Sequence, residues 1–203
     1  MRTLVIDTAT AACSIALIED GVVVAKAHDV VGRGHAERLL PMIAALPDGG
    51  RAGRILVDVG PGSFTGLRVG IAAARGLALG WNATVAGYSS LALIAARGFA
   101  DRASDDLAVV IEGGHGEVFM QSFVPGPAPL ADLASLKPEA AALALAGRPA
   151  IGNGLRWLHA LDPSQLLRDA LPDAADVILL PPALCALPPR PIYGRAPDAK
   201  PPG

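Results

Sequence analysis

The stretch "VDVGPGSFTGLRVG", residues 57–70, constrains the fold more than any other part of this chain. A run of β-formers ending at Val59 enters a turn carrying Gly60, Gly62 and Gly66. The turn then enters a helix whose side chains are apolar or small almost throughout. A strand that leaves through a tight turn into an apolar helix belongs to a sheet covered by helices. Glycines at the mouth of a helix are also the signature of loops that set backbone N–H groups against phosphate. The residue types narrow that chemistry. Leu67 stands where a Walker loop requires lysine, and the glycines are spaced differently from a dinucleotide fingerprint. Ser63 has Pro61 and Thr65 where a hydrolase elbow needs glycines, and reads as the N-cap of the helix.

Around this unit the pattern is regular. Strands are predicted at 3–7, 13–19 and 22–28, the last two joined by Asp20-Gly21, a strong hairpin signal. A helix over 35–46, with Pro41 as a kink, leads to a loop, a strand at 54–59 and the helix at 63–81. A strand at 84–88 and a helix at 90–100 follow. A hairpin leading into alternating strands and helices predicts an α/β protein of the actin-like, ribonuclease H-like superfold, with two lobes of mixed sheet. A second hairpin is expected at 107–112 and 117–124 around "GGHG", followed by weaker αβ signals at 139–146, 148–152 and 177–180. Fifteen of the 18 prolines lie at or beyond residue 125, so this second lobe should be short of long helices. The expected division is a first lobe over 1–103, a shortened second lobe over 104–195 and a disordered tail over 196–203.

Composition limits function. The 203 residues suffice for a real core, which at 52% hydrophobic and only 4% aromatic must be largely aliphatic. A net charge of −2 argues against a free-standing nucleic-acid binder, though not against a subunit whose partner supplies the basic surface. Two cysteines, Cys13 and Cys185, make no disulfide framework and fit a reducing cytosol. Asp7 interrupts the apolar start, and the most apolar helix carries Arg68 and Arg75 and is too short for a bilayer. A soluble, cytoplasmic protein is expected, with no membrane partner.

Asp7, followed by Thr8 and Thr10, could hold a hydrated metal beneath nucleotide phosphates, as in actin-like ATPases. Asp7, Glu37 and Asp58 also occupy the coarse positions of a two-metal carboxylate cluster for phosphodiester cleavage. The plainer reading has Asp7 capping a turn, Glu37 solvated and Asp58 bonding loop amides. The four histidines are scattered, with Leu39 four residues after His35, so no metal site is expected. In the helix after the glycine turn, Gly70 and Gly76 each cost roughly 1 kcal/mol relative to alanine. That suggests close backbone approach, either beneath the neighbouring lobe or at a subunit interface built from helices 35–46 and 63–81. The candidate interface residues are Leu39, Ile43, Gly66, Gly70, Ala73 and Leu77.

"LVIDTATAACSIAL", the "GHAERLLPMI" helix, "GPGSFTGLRVGIAAARGLALG", "GEVF" at 116–119 and "PIYGRAP" near the end together resemble the TsaB (YeaZ) family. The resemblance is dense over the first 100 residues and thin beyond. It implies an actin-like, sugar-kinase-like fold and a role in making threonylcarbamoyladenosine in tRNA, at the adenosine following the anticodon. Proteins of this family are paralogues of the catalytic subunit TsaD, whose HxxxH helix binds metal; here only His35 survives of that pair. The resemblance therefore implies a non-catalytic subunit without a cofactor. It would dimerise with a TsaD-type subunit, be joined by a TsaE-type ATPase and reach tRNA only through the complex; alone it could be a homodimer or a monomer. Asp7, Thr8 and Thr10 would then be vestigial phosphate-loop positions. The alternative is an actin-like ATPase or phosphotransferase using the Asp7 loop. Two departures weaken nucleotide binding. Glu112-Gly113-Gly114 stands where the family usually reads D-A-R, and only "CALPPR" intervenes where the family often carries a further helix.

Overall fold

In the computed structural model, all residues are described except Ala103, Asp162, 164–166 and 196–203. The tail expected at 196–203 thus lies outside the described residues. Asp20 and Gly21 both take positive φ, 48° and 83°, the geometry of a tight hairpin turn. They join β2 (Ala12–Glu19) to β3 (Val22–Val30), and β2 also pairs antiparallel with β1 (Arg2–Asp7). Two parallel strands, β4 (Arg54–Asp58) and β5 (Thr84–Tyr88), complete a sheet of order β3-β2-β1-β4-β5. This is the actin-like, ribonuclease H-like arrangement expected from the element order.

Alternation along the strands sorts side chains to two cores. Leu4, Ile6, Ile15, Leu17, Ile55 and Val57 face α1 (His35–Ala44) and α2 (Phe64–Trp81). Val5, Ala16 and Leu56 face the opposite way, onto α3 (Ser90–Asp101). The helix buried nearly all round is therefore α3, in which every residue from 91 to 96 is buried between the two sheets. The helix α2 keeps one face outward, and its Leu79 is 88% exposed.

The second sheet is built on the predicted hairpin, β6 (Leu107–Gly114) and β7 (Glu117–Val124). Its other strands are two or three residues long: β8 (Ala128–Pro129), β9 (Ala134–Leu136), β10 (Ala150–Ile151) and β11 (Leu167–Arg168). The order is β11-β10-β6-β7-β8, with β9 also on β7. Two short helices, α4 (Pro138–Leu145) and α5 (Leu155–His159), cover it. The signal at 177–180 is not a strand. It lies in a 3-10 helix, Ala174–Leu179, whose Ala174, Ala175 and Val177 wedge into the core between the sheets. The Asp173 carboxylate caps it by accepting from the Ala175 amide, and Ser14 accepts from the Ala174 amide, both at 2.9 Å. A last 3-10 turn, Pro182–Cys185, sends the chain back across the first lobe.

Candidate functional site: the Asp7 turn and the entrance to helix α2

The glycine-rich turn meets the turn that follows β1. Ser63 donates its amide to the carbonyl of Ala9 at 2.6 Å, and Thr8 Oγ1 donates to the carbonyl of Gly66 at 2.8 Å. The Ser63 hydroxyl accepts from the Gly66 amide at 3.2 Å, which is the predicted N-cap. A Cβ at Gly62 would lie 2.3 Å from the Ala9 carbonyl oxygen, and one at Gly66 would lie 2.0 Å from that of Thr8. At Gly70 it would lie 2.4 Å from Thr8 Oγ1. The glycines thus serve close packing of two turns. Carbonyl groups of the chain itself sit where the loop resemblance suggested phosphate.

Asp7, Thr8 and Thr10 are brought together here, and all three are buried. Thr10 Oγ1 accepts from the Ala12 amide at 3.2 Å, and Asp7 Oδ1 accepts from the Ala9 amide at 3.4 Å. Asp7 Oδ2 lies 3.0 Å from the hydroxyl of Tyr88, which also lies 3.1 Å from the carbonyl oxygen of Ile6. Burial pushes the Asp7 carboxyl up to about 7, against the opposing pull of its bonds with Tyr88 and Ala9. On the neighbouring strand, Asp58 Oδ1 accepts from the amides of Gly60 (2.8 Å) and Ser90 (3.0 Å), capping both the glycine turn and the start of α3. Its Oδ2 is buried with no partner among the described residues. Burial and then the charge of Asp7 hold Asp58 well above the usual carboxylate range.

The two-metal cluster is not assembled. Asp7 and Asp58 are sealed in the interior, whereas Glu37 is exposed on α1, because the buried stripe of that helix consists of His35, Leu39, Met42 and Ile43. Among the described residues no group of three or more His, Cys, Asp or Glu side chains could hold a metal. His35 begins α1 and bonds the carbonyl of Ala12 through Nε2 at 3.1 Å. Between the Asp7 turn and the second lobe lies a cavity of about 500 Å³, lined by Ala11, Glu112, Asn153, Arg156, His159 and Asp169. Glu112 is ion-paired with Arg156, and its amide donates to Asn153 Oδ1.

Four of the six candidate interface residues lie inside the chain. Leu39 and Ile43 are in the core and Gly66 and Gly70 lie under the Asp7 turn, while Ala73 and Leu77 are half-buried. The apolar stripes of α1 and α2 are oriented by their own sheet, as amphipathic helices are. The small and apolar residues they leave outward include Leu40, Pro41 and Ala44 on α1, and Ala72, Gly76 and Leu79 on α2, beside the charged Glu37, Arg38, Arg68 and Arg75. Sequence reasoning missed Tyr88. The available signal was positional, since Tyr88 pairs with Asp58 at the end of adjacent parallel strands.

A family profile described as "TsaD: tRNA N6-adenosine threonylcarbamoyltransferase" matches residues 21–135. YeaZ from Pseudomonas aeruginosa superposes with a TM-score of 0.75 at 31% identity, covering 88% of this chain and 89% of that one. The chain belongs to the TsaB (YeaZ) family. The tRNA threonylcarbamoyladenosine biosynthesis protein TsaB of Escherichia coli is 39% identical over 131 residues, 61% of this chain. That match spans 55% of the length of the E. coli protein. An uncharacterized protein of Mycobacterium bovis is 33% identical over 98% of this chain and 93% of its own length. The profile match takes in the α2 entrance and begins after the Asp7 turn.

Proposed function

We propose that this chain is the non-catalytic subunit of a tRNA N6-adenosine threonylcarbamoyltransferase complex. It pairs with a TsaD-type catalytic subunit, with a TsaE-type ATPase joining them, and supports modification of the adenosine that follows the anticodon. The observation that carries this reading is the state of the Asp7 turn. Its carboxyl and both threonine hydroxyls are buried and bonded within the chain, so they offer nothing to a metal-bound phosphate. A member of this family with that turn closed contributes surface rather than chemistry. The outward small and apolar residues of α1 and α2 are the docking face, because close backbone approach needs small side chains there. tRNA is reached through the complex, consistent with a net charge of −2. No helix among the described residues is long and apolar enough to cross a membrane, and the protein works in the cytoplasm.

The test is co-purification with a TsaD-type protein, followed by the tRNA modification assay with and without this chain. Activity that needs the chain, together with no activity from the chain alone, is expected. Modification or ATP turnover by the isolated chain would favour the ATPase or phosphotransferase alternative.

A further inference from the structure

Three motifs far apart in the sequence, "GPGSFTGLR", "GEVF" and "PIYGR", contribute side chains to one place at the junction of the lobes. The Tyr193 ring lies 5.3 Å from that of Phe64. The Arg68 guanidinium stacks 3.7 Å from the Phe64 centroid, and its Nε donates to the Tyr193 hydroxyl at 3.2 Å. The next residue, Gly194, packs so closely on the second lobe that a Cβ would meet the Phe119 ring at 2.4 Å. Arg195 Nη1 then lies 3.6 Å from Glu117 Oε2, and Glu117 is itself held by the hydroxyl of Ser135 at 2.7 Å. Consecutive residues therefore grip first one lobe and then the other.

The segment leading there is fastened along its length. Leu187 and Gly87 exchange amide–carbonyl bonds at 2.6 and 3.0 Å, and Ile192 donates to the Val59 carbonyl at 2.7 Å. Pro188, Pro189 and Pro191 have no N–H, so the segment cannot continue as a strand beside β5. Arginine side chains hold it instead. Arg54 donates to the carbonyl of Cys185 and Arg75 to that of Pro189, each at 2.7 Å. This accounts for Arg68 and Arg75, the two charges on the otherwise apolar α2. Gly60 and Gly87 make room, since a Cβ at either would lie 2.7 and 3.2 Å from carbonyl oxygens of the segment.

We propose that residues 185–195 are a brace that fixes the angle between the two lobes. Lobes move about a hinge unless contacts between them prevent it. Helix α3 and the 3-10 helix Ala174–Leu179 already join the two sheets in one apolar core, and the brace adds a second attachment. Here the brace ties β4, β5, α2 and the glycine turn of one lobe to β7 of the other, and the chain keeps one interlobe angle. The proposal concerns this chain alone and is independent of its partners.

Spin labels at Val24→Cys on β3 and Leu143→Cys on α4, both exposed, report the interlobe distance in the full chain; the native cysteines are buried. The wild-type background should give one narrow distance distribution. Tyr193→Ala with Arg195→Ala should broaden it about twofold or add longer distances, because the attachments to α2 and to β7 are both removed. A broad wild-type distribution, or a width unchanged in the double variant, overturns the brace. If the double variant does not fold, hydrogen exchange of the unmodified chain decides. The Gly87, Leu187 and Ile192 amides should exchange as slowly as those of the central strands. Exchange as fast as that of open turns overturns the proposal.

Discussion

The Tyr88 hydroxyl stands between Asp7 Oδ2, 3.0 Å away, and the carbonyl oxygen of Ile6, 3.1 Å away. It has one hydrogen to give. While Asp7 is ionised, Tyr88 can serve one acceptor or the other. Once Asp7 is protonated, it donates to Tyr88 and Tyr88 donates to Ile6, and both bonds form. The carboxyl that an actin-like ATPase would keep charged and wet is here dry and arranged to hold a proton.

Stability should consequently fall as pH rises. Burial raises Asp7 from 3.8 to about 7 in the folded chain. Below 3.8 both states are protonated and the contribution is complete; it declines as pH climbs and is gone above about 7. Asp58 is shifted in the same direction and adds to the slope. Each fully shifted group changes stability by about 1.4 kcal/mol per pH unit inside its window. Urea unfolding from pH 4 to 8 measures this. Asp7→Asn keeps a donor for Tyr88 and an acceptor for Ala9, so it should fold and lose much of the slope. A slope untouched by that substitution would sink the argument.

Two glycines of the same helix should respond in opposite directions to alanine. Gly66→Ala places a Cβ 2.0 Å from the Thr8 carbonyl oxygen, a backbone atom that cannot swing away. A loss of about 1–3 kcal/mol or more is expected, as for other overpacked sites. A Cβ at Gly76 would meet nothing within 4 Å, and the residue lies in mid-helix, so Gly76→Ala should gain roughly 0.5–1 kcal/mol. Urea midpoints of the two variants give the comparison.

The docking face can be separated from the core by charge. Leu79→Arg, at a side chain 88% exposed, should leave stability within about 0.5 kcal/mol yet abolish co-elution with a TsaD-type subunit. Gly70→Arg instead drives a side chain into Thr8 and Val57 and should unfold the protein. Co-elution of folded Leu79→Arg at wild-type level would remove α2 from the interface.

ATP or ADP with magnesium should bind the isolated chain no tighter than about millimolar, roughly −4 kcal/mol. The groups that would meet phosphate already bond one another at the Asp7 turn. Calorimetry measures this, and a low-micromolar dissociation constant would show that the turn still opens to a nucleotide.

Most elements follow from chemistry within a few residues: the Asp20-Gly21 hairpin, the Ser63 cap, and the alternation that sends Leu4 and Ile6 one way and Val5 the other. Such features depend on neighbours along the chain, and the sequence by itself determined them. It also carried the family likeness through its motifs. Only the tertiary structure decided which face of α2 stayed outside, because that choice belongs to the sheet beneath the helix. It also decided that α3, rather than α2, is the helix buried nearly all round. Asp7 meets Tyr88, 81 residues away, and Arg68 meets Tyr193, 125 residues away, through side chains whose identities give no local sign of a partner. The glycines of the opening motif belong to both levels. Locally they permit a phosphate loop or a tight packing site alike, and the carbonyls of Thr8 and Ala9, arriving from another strand, fill the space.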